Sequence, residues 1–255
     1  MSEWLVLSIA MAAACAVVLT IAVLKQRRAG AADVPDETPD VIEYMTMMIG
    51  VVYAIVLGLA IAGVWEGRGA AQEHVRFEAQ ALYEVDRRAE VYPVEVRERI
   101  RADVDAYVAH VVDSEWRTMA DTGQLSAKGT ALLEKVRRDV TDYVPRTDHE
   151  GQAYQPLVDQ VAAADEARNA RGQSASSTMP GVVWFGLVIG ALVTVGMVFA
   201  LQIRNSPREL LLAGLFSALI AFLLFLIWDF DSPFSRGLAA TADPFLTLFP
   251  DVART

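Results

Sequence analysis

Residues 44–92 read YMTMMIGVVYAIVLGLAIAGVWEGRGAAQEHVRFEAQALYEVDRRAEVY, and the two halves of this stretch decide the fold. The first half, Tyr44–Trp65, holds 22 residues without a charge. At about 1.5 Å per residue a helix of that length crosses a hydrocarbon core about 30 Å thick. From Glu66 onward charges come every few residues, yet Val75, Ala79, Leu82, Val85, Ala89 and Tyr92 keep recurring at three- and four-residue steps. That spacing predicts one helix that leaves the membrane and continues, amphipathic, into water.

Working outward, Leu5–Leu24 is a second uncharged run of membrane-spanning length. Met1-Ser2-Glu3 offers no positive n-region, and Lys25, Arg27 and Arg28 follow the run, so it reads as a retained helix and not as a cleaved signal. Residues 29–43, with Gly30, Pro35 and Pro39, read as a short loop. Beyond Pro93, the positions Ile100, Val104, Tyr107, Val108 and Val111 give a helix an apolar face, ending near Asp121-Thr122-Gly123. Ser126 suits the cap of the next helix, which carries Leu132, Leu133, Val136, Val140 and Tyr143. After Pro145 a further pattern runs through Tyr154, Leu157, Val158 and Val161, and residues 172–178 read as a polar linker. Met179-Pro180 opens a third span to Ile203, residues 204–208 are a turn, and the fourth span is 209–228. The tail, 229–255, is broken by Pro233, Pro244 and Pro250. The expectation is an all-α protein with four transmembrane helices in a two-plus-two arrangement, the pairs separated by a soluble helical bundle at 66–178.

Charge and motif content narrow the function. Lys and Arg number 22 against 32 Asp and Glu, a formal charge of −10, the wrong sign for neutralising phosphates, so nucleic acid is not an expected partner. The lone Cys15 supplies no disulfide framework or metal cluster. His74, His110 and His149 lack neighbours at metal-ligand spacing, and no phosphate loop, nucleophile elbow or zinc-hydrolase motif is present. No enzyme, metal or cofactor is expected. His74 with Glu78 reads as a solvated i, i+4 pair, and Glu115-Trp116 as a buried indole beside a solvated acid.

The spans carry no central charge, whereas ion-coupled transporters keep one there, which leaves room for a passive pore. Thr46, Ile49, Tyr53 and Leu57 are candidate pore-lining residues of the second span, with burial or lipid contact as the plainer reading. Gly50, Ala54, Gly58 and Ala62 form a ladder of small residues four apart, and Gly186, Gly190 and Thr194 repeat it on the third span. Such ladders let helices approach closely, either within one chain or around an oligomer axis. Asp229 and Asp231 could concentrate cations at a membrane mouth; more simply, Asp231 caps a turn, Pro233 stops the helix and Phe234 packs at the interface. Trp4, Trp65, Trp184 and Trp228 fall at one interface as an anchoring belt. Lys25, Arg27, Arg28, Arg204 and Arg208 make the short-loop side cytoplasmic, which puts the middle domain and both termini outside the cell.

The segment Tyr53-Ala-Ile-Val-Leu-Gly58, then Trp65-Glu66 through Glu78-Ala79, Glu115-Trp116 and Asp231-Ser232-Pro233-Phe234 resembles the bestrophin-like membrane proteins, a family without an assigned activity. The resemblance covers nearly the whole chain. It departs from the family at Arg236, which precedes Gly237 where a Gly closely follows the Asp-x-Pro-Phe turn. True bestrophins, to which the likeness is distant, are pentameric ion channels with four spans and a large cytosolic helical part. Their calcium-binding acidic run is not reproduced at Asp229 and Asp231, so the resemblance implies no metal site. It implies a cytosolic middle domain, opposite to the loop-charge count. Two functions are thus expected: an oligomeric passive ion channel of the cell membrane, surrounded by lipid, or a membrane-anchored helical sensor or assembly protein.

Overall fold

A computed structural model describes residues 40–176, 179–201, 207–235 and 240–252. The expected first span, Leu5–Leu24, lies outside the described residues, as does Trp4. Every regular element among the described residues is helical. In chain order they are α1 (Asp40–Arg88), a 3₁₀ turn (Ala89–Val91), α2 (Val94–His110), a π-helical turn (Val111–Glu115), α3 (Trp116–Thr122), α4 (Ala127–Thr141), α5 (Asp148–Gln173), α6 (Gly181–Leu201), α7 (Pro207–Phe230) and α8 (Asp243–Leu248). Helix α1 runs for 49 residues without a break, about 74 Å at the helical rise.

The chain divides into two units, one of Met1–Trp65 and Met179–Asp231, the other of Glu66–Thr178 and Ser232–Thr255. In the first, three helices among the described residues are long and apolar enough to cross a membrane, and less than a quarter of each apolar window is buried within the chain. The larger of two buried clusters is a narrow seam: Tyr53, Leu57 and Val64 of α1 against Leu187 and Ala191 of α6 and Ile220, Ile227 and Phe230 of α7; Phe199 and Ala213 form the smaller. Trp65 meets Phe230 edge to face at 5.4 Å. The remaining apolar surface, including Met48, Leu59, Phe185 and Leu211, is exposed. In water such surface would be a liability, whereas in a bilayer lipid covers it without cost.

The second unit has a conventional core. Val75, Leu82 and Val85 of α1, Ile100, Val104 and Tyr107 of α2, Leu133, Val136 and Val140 of α4 and Leu157 and Val161 of α5 are all buried, in the stripes that the sequence periodicity predicts. Phe234, Ala240, Phe245 and Phe249 of the tail are part of the same core. Helix ends are closed by side chains: the Ser126 hydroxyl accepts from Gly129 N and the Thr147 hydroxyl from Glu150 N, each contributing about 1 kcal/mol. Gly123, at φ 69°, ends α3 in the left-handed conformation that costs glycine nothing. Helix α5 runs on through Gly172 to Gln173, two residues into the stretch 172–178 that the sequence predicts as a linker. At Gly172 a Cβ would stand 2.5 Å from the Leu125 side chain, so helix and preceding loop close only because no side chain intervenes.

Candidate functional site

A cluster of four charged side chains lies in the core of the second unit. Glu78, Glu115 and Arg171 are fully buried and Arg168 is 3% exposed. Arg171 grips Glu78 with two nitrogens, Nε to Oε2 at 2.6 Å and Nη2 to Oε1 at 3.1 Å. The same Nη2 reaches Glu115 Oε1 at 2.7 Å. Glu115 Oε2 accepts from Arg168 Nη2 at 2.6 Å, from the Ser126 hydroxyl at 2.7 Å and from Ser126 N at 3.0 Å. Arg168 also donates to Thr130 Oγ1 and the Ser126 carbonyl. The Tyr107 hydroxyl donates to Glu78, and Arg171 Nη1 contacts Met119 Sδ at 3.3 Å. Two carboxylates and two guanidiniums sum to zero charge, so the group is tolerated in a dry interior only while every member stays paired.

The chain is shaped locally to admit this group. The π turn at Val111–Glu115 widens the helix by one residue; such turns are mostly single and tend to occur at functional sites. Here the turn ends on Glu115, which continues the buried stripe of Tyr107 and Val111. Gly129 makes room opposite: a Cβ there would stand 2.1 Å from Glu115 Oε2 and 2.7 Å from Arg168 Nη2. Burial pushes the Glu115 carboxyl up, but Arg171, the Ser126 hydroxyl and Arg168 together outweigh it and hold the group below its ordinary value. For Arg171 burial likewise opposes the charge, and Glu78 ahead of Tyr107 and Glu115 reverses the balance. Burial, then the neighbouring Glu78 charge, pushes the Tyr107 phenol well up, so it remains a donor.

Two sequence readings are corrected. Glu115 is not a solvated acid, and Glu78 is not half of a solvated pair with His74, because both carboxylates meet arginines 56 and 93 residues away in the chain. Arg168 and Arg171 escaped the reading, although they continue the apolar stripe Leu157, Val161 and Ala164 at the same three- and four-residue steps. Position on that stripe was the available signal. Trp116 belongs to the same cluster, with the Arg171 guanidinium 5.9 Å from its ring centroid and Phe234 edge to face at 5.5 Å. Glu78, Glu115 and Trp116, scattered in the sequence, therefore converge on Arg171, and Phe234 packs against Trp116. Phe234 is a core residue of this unit and not an interfacial one. Pro233 is buried beside it and its carbonyl accepts from Ala240 N at 2.7 Å.

In the first unit, Asp231 does not cap its own turn. Its Oδ1 accepts from Met179 N at 2.7 Å and its Oδ2 from Trp184 Nε1 at 3.1 Å, clamping the end of α7 to the start of α6. Asp229, two residues earlier, is also buried. Tyr53 donates to the Leu187 carbonyl at 2.9 Å, and its ring lies where a Cβ on Gly190 would stand, 2.6 Å away. Thr46 and Leu57 are buried with it on one face of α1, whereas Ile49 is exposed. The ladder is different: Ala54, Gly58 and Ala62 are exposed, Gly50 is half-exposed, and nothing lies within 4 Å of a Cβ built on Gly50, Gly58 or Gly186. Among the described residues no group of three His, Cys, Asp or Glu side chains could hold a metal ion.

Neither cluster has an exposed nucleophile beside a base, so the chemistry on offer is that of a lock and a clamp. Three crystal structures of single-residue variants of a bacterial bestrophin homologue from Klebsiella pneumoniae match the fold, with TM-scores of 0.69, 0.71 and 0.70. Identity is 11%, 10% and 13%, and the matches cover 97%, 96% and 100% of this chain and 98%, 97% and 96% of those chains. A search of curated proteins gives no match. The model of the bestrophin-like domain matches residues 12–245, and the chain therefore belongs to the bestrophin-like family.

Proposed function

We propose that the chain is a passive ion channel of the cell membrane, assembled from several copies with α1 beside the axis. The observation that carries this reading is the bare small-residue face of α1. Gly50, Ala54, Gly58 and Ala62 offer close backbone approach, yet no described residue of the same chain uses it. A membrane helix with such a face and no charge suits a ring of identical copies around a conduction path. The bestrophin fold adds support. The clamp at Asp231 and the lock at Arg171 then serve rigidity, which a pore needs to keep its radius. Thr46, Tyr53 and Leu57, packed within the chain, hold α1 in place on this reading, and the ladder side faces the axis.

Purified protein tests it directly. In detergent or nanodiscs the particle should have the mass of a closed ring, and liposomes containing it should pass small ions without a gradient of a second solute. A monomer that passes none ends the proposal. Sidedness follows the loop charges: a cysteine introduced as Q124C in a C15S chain should react with an impermeant maleimide added to intact cells, and lack of reaction reverses the orientation.

A further inference from the structure

Helices α2 and α4 pack against each other in the second unit, and one patch of their seam is acidic on both sides. Asp103 of α2 is 4% exposed, and its Oδ1 accepts from the Lys135 ammonium of α4. Asp139 stands four residues after Lys135, one turn and about 6 Å further along the same face of α4. There the two carboxyls come within hydrogen-bonding contact of each other. Asp103 Oδ2 and Asp139 Oδ2 are both buried, and neither has a hydrogen-bond donor among the described residues. Ionised carboxylates only accept, so two of them in contact leave both oxygens without a donor and set like charges against each other.

A bound cation or a proton relieves such a contact. The hard cations ask for more oxygen ligands than two carboxylates supply. Lys135 already takes Asp103 Oδ1, and no group of three His, Cys, Asp or Glu side chains stands here among the described residues. A proton needs only the two orphan oxygens, because one carboxyl then donates and the other accepts. The surrounding charges agree with this. Burial first, then the contact with Asp103, lifts the Asp139 carboxyl above its ordinary value, against the opposing pull of Arg99 from α2 and Lys135 from α4. Helix α5 meets α4 on another side, through Arg137 Nη2 and Asp165 Oδ2 at 2.8 Å, with Arg137 about 200° around α4 from Asp139.

We propose that Asp103 and Asp139 share one proton in the folded unit at pH values where an ordinary aspartate is ionised, and that this proton latches α2 to α4. The proton belongs to the pair and not to either residue. A carboxyl raised by folding stabilises fully below its unfolded value, and the contribution is lost as pH rises through the folded value. The latch therefore weakens with rising pH, the opposite sense to the Glu115 carboxylate. Infrared titration of the purified full chain, in a detergent without ester or acid carbonyls, tests it. Above about pH 5, where an ordinary aspartate carries its charge, the native chain should keep the carbonyl stretch of a protonated acid, shifted in heavy water and titrated away at higher pH. Both D139N and D103N should lose that band, since one proton serves both residues. D139N, whose amide is a permanent donor to Asp103, should also hold its denaturation midpoint level over the range in which the native midpoint falls. A native chain without the band overturns the proposal whether or not the variants fold, and so does a band that persists in both variants. A native midpoint near neutral pH that rises with added sodium or calcium chloride, and does not rise in D139N, gives the space to a cation and overturns the shared proton. None of these outcomes depends on ion flux.

Discussion

The two units solve opposite problems with the same kind of helix. In the unit around Arg171 the core holds a cluster of two carboxylates and two guanidiniums, and each carboxylate meets a guanidinium. In the unit around Tyr53 the spans contain no central charge, and most of the apolar surface is uncovered within the chain. Water makes the difference. A soluble helix hides apolar groups because exposing them is costly, and it can afford an internal salt-bridge cluster only if the cluster is complete. Helices in lipid gain nothing from hiding apolar groups, so shape complementarity and the few hydrogen bonds at Tyr53 and Asp231 decide what touches what. The soluble unit is thus specified by charge pairing, and the membrane unit by small residues and single polar contacts.

The hardest way to break this contrast is to leave one buried charge alone. R171M strands Glu78 without an arginine and takes from Glu115 one of its two, and the second unit should lose about 3–5 kcal/mol, read as a fall in the denaturation midpoint of helical circular dichroism. Replacing Glu78, Glu115, Arg168 and Arg171 together by Met should recover most of that loss, because a missing group costs less than a half-satisfied one. In the membrane unit the corresponding error is excess volume. G190L drives a side chain into the Tyr53 ring and should cost about 1–3 kcal/mol, seen as faster proteolysis of extracted protein. D231A removes the acceptor for Met179 N and Trp184 Nε1 and should cost about 1–3 kcal/mol, with a shift in tryptophan emission as Trp184 loses its partner.

Acid gives a finer test. Glu115 is held below its ordinary value of 4.5. A carboxylate depressed by folding stabilises fully above that value, and the contribution fades as pH falls through the folded value. Thermal stability of the second unit should therefore drop as pH goes below about 4.5, and E115Q should flatten that part of the profile from a lower starting point. The smallest effect is expected at Gly58. A methyl group there meets nothing within 4 Å in its own chain, so G58A should leave the monomer's stability within about 0.5 kcal/mol. Any marked change in particle mass from G58A or G58L reports contact with another copy.

Much of the fold is legible in residues 44–92, because an uncharged run followed by amphipathic periodicity leaves α1 little alternative, and the caps at Ser126 and Thr147 are local chemistry. The site is legible only in pieces. Glu78, Glu115, Trp116 and Phe234 stand out as a pattern, yet their environment does not, since a lone acid on a helix is solvated by default. What reverses that default is a pair of arginines on α5, together with a π turn whose extra residue leaves no mark in periodicity. The sequence by itself determined which segments are helical, which are apolar enough to cross a membrane, and the family. The tertiary structure alone decided which charges meet, that Phe234 joins the soluble core, and which face of α1 stays bare, because each of these depends on contacts between residues far apart in the chain, and no local propensity encodes them.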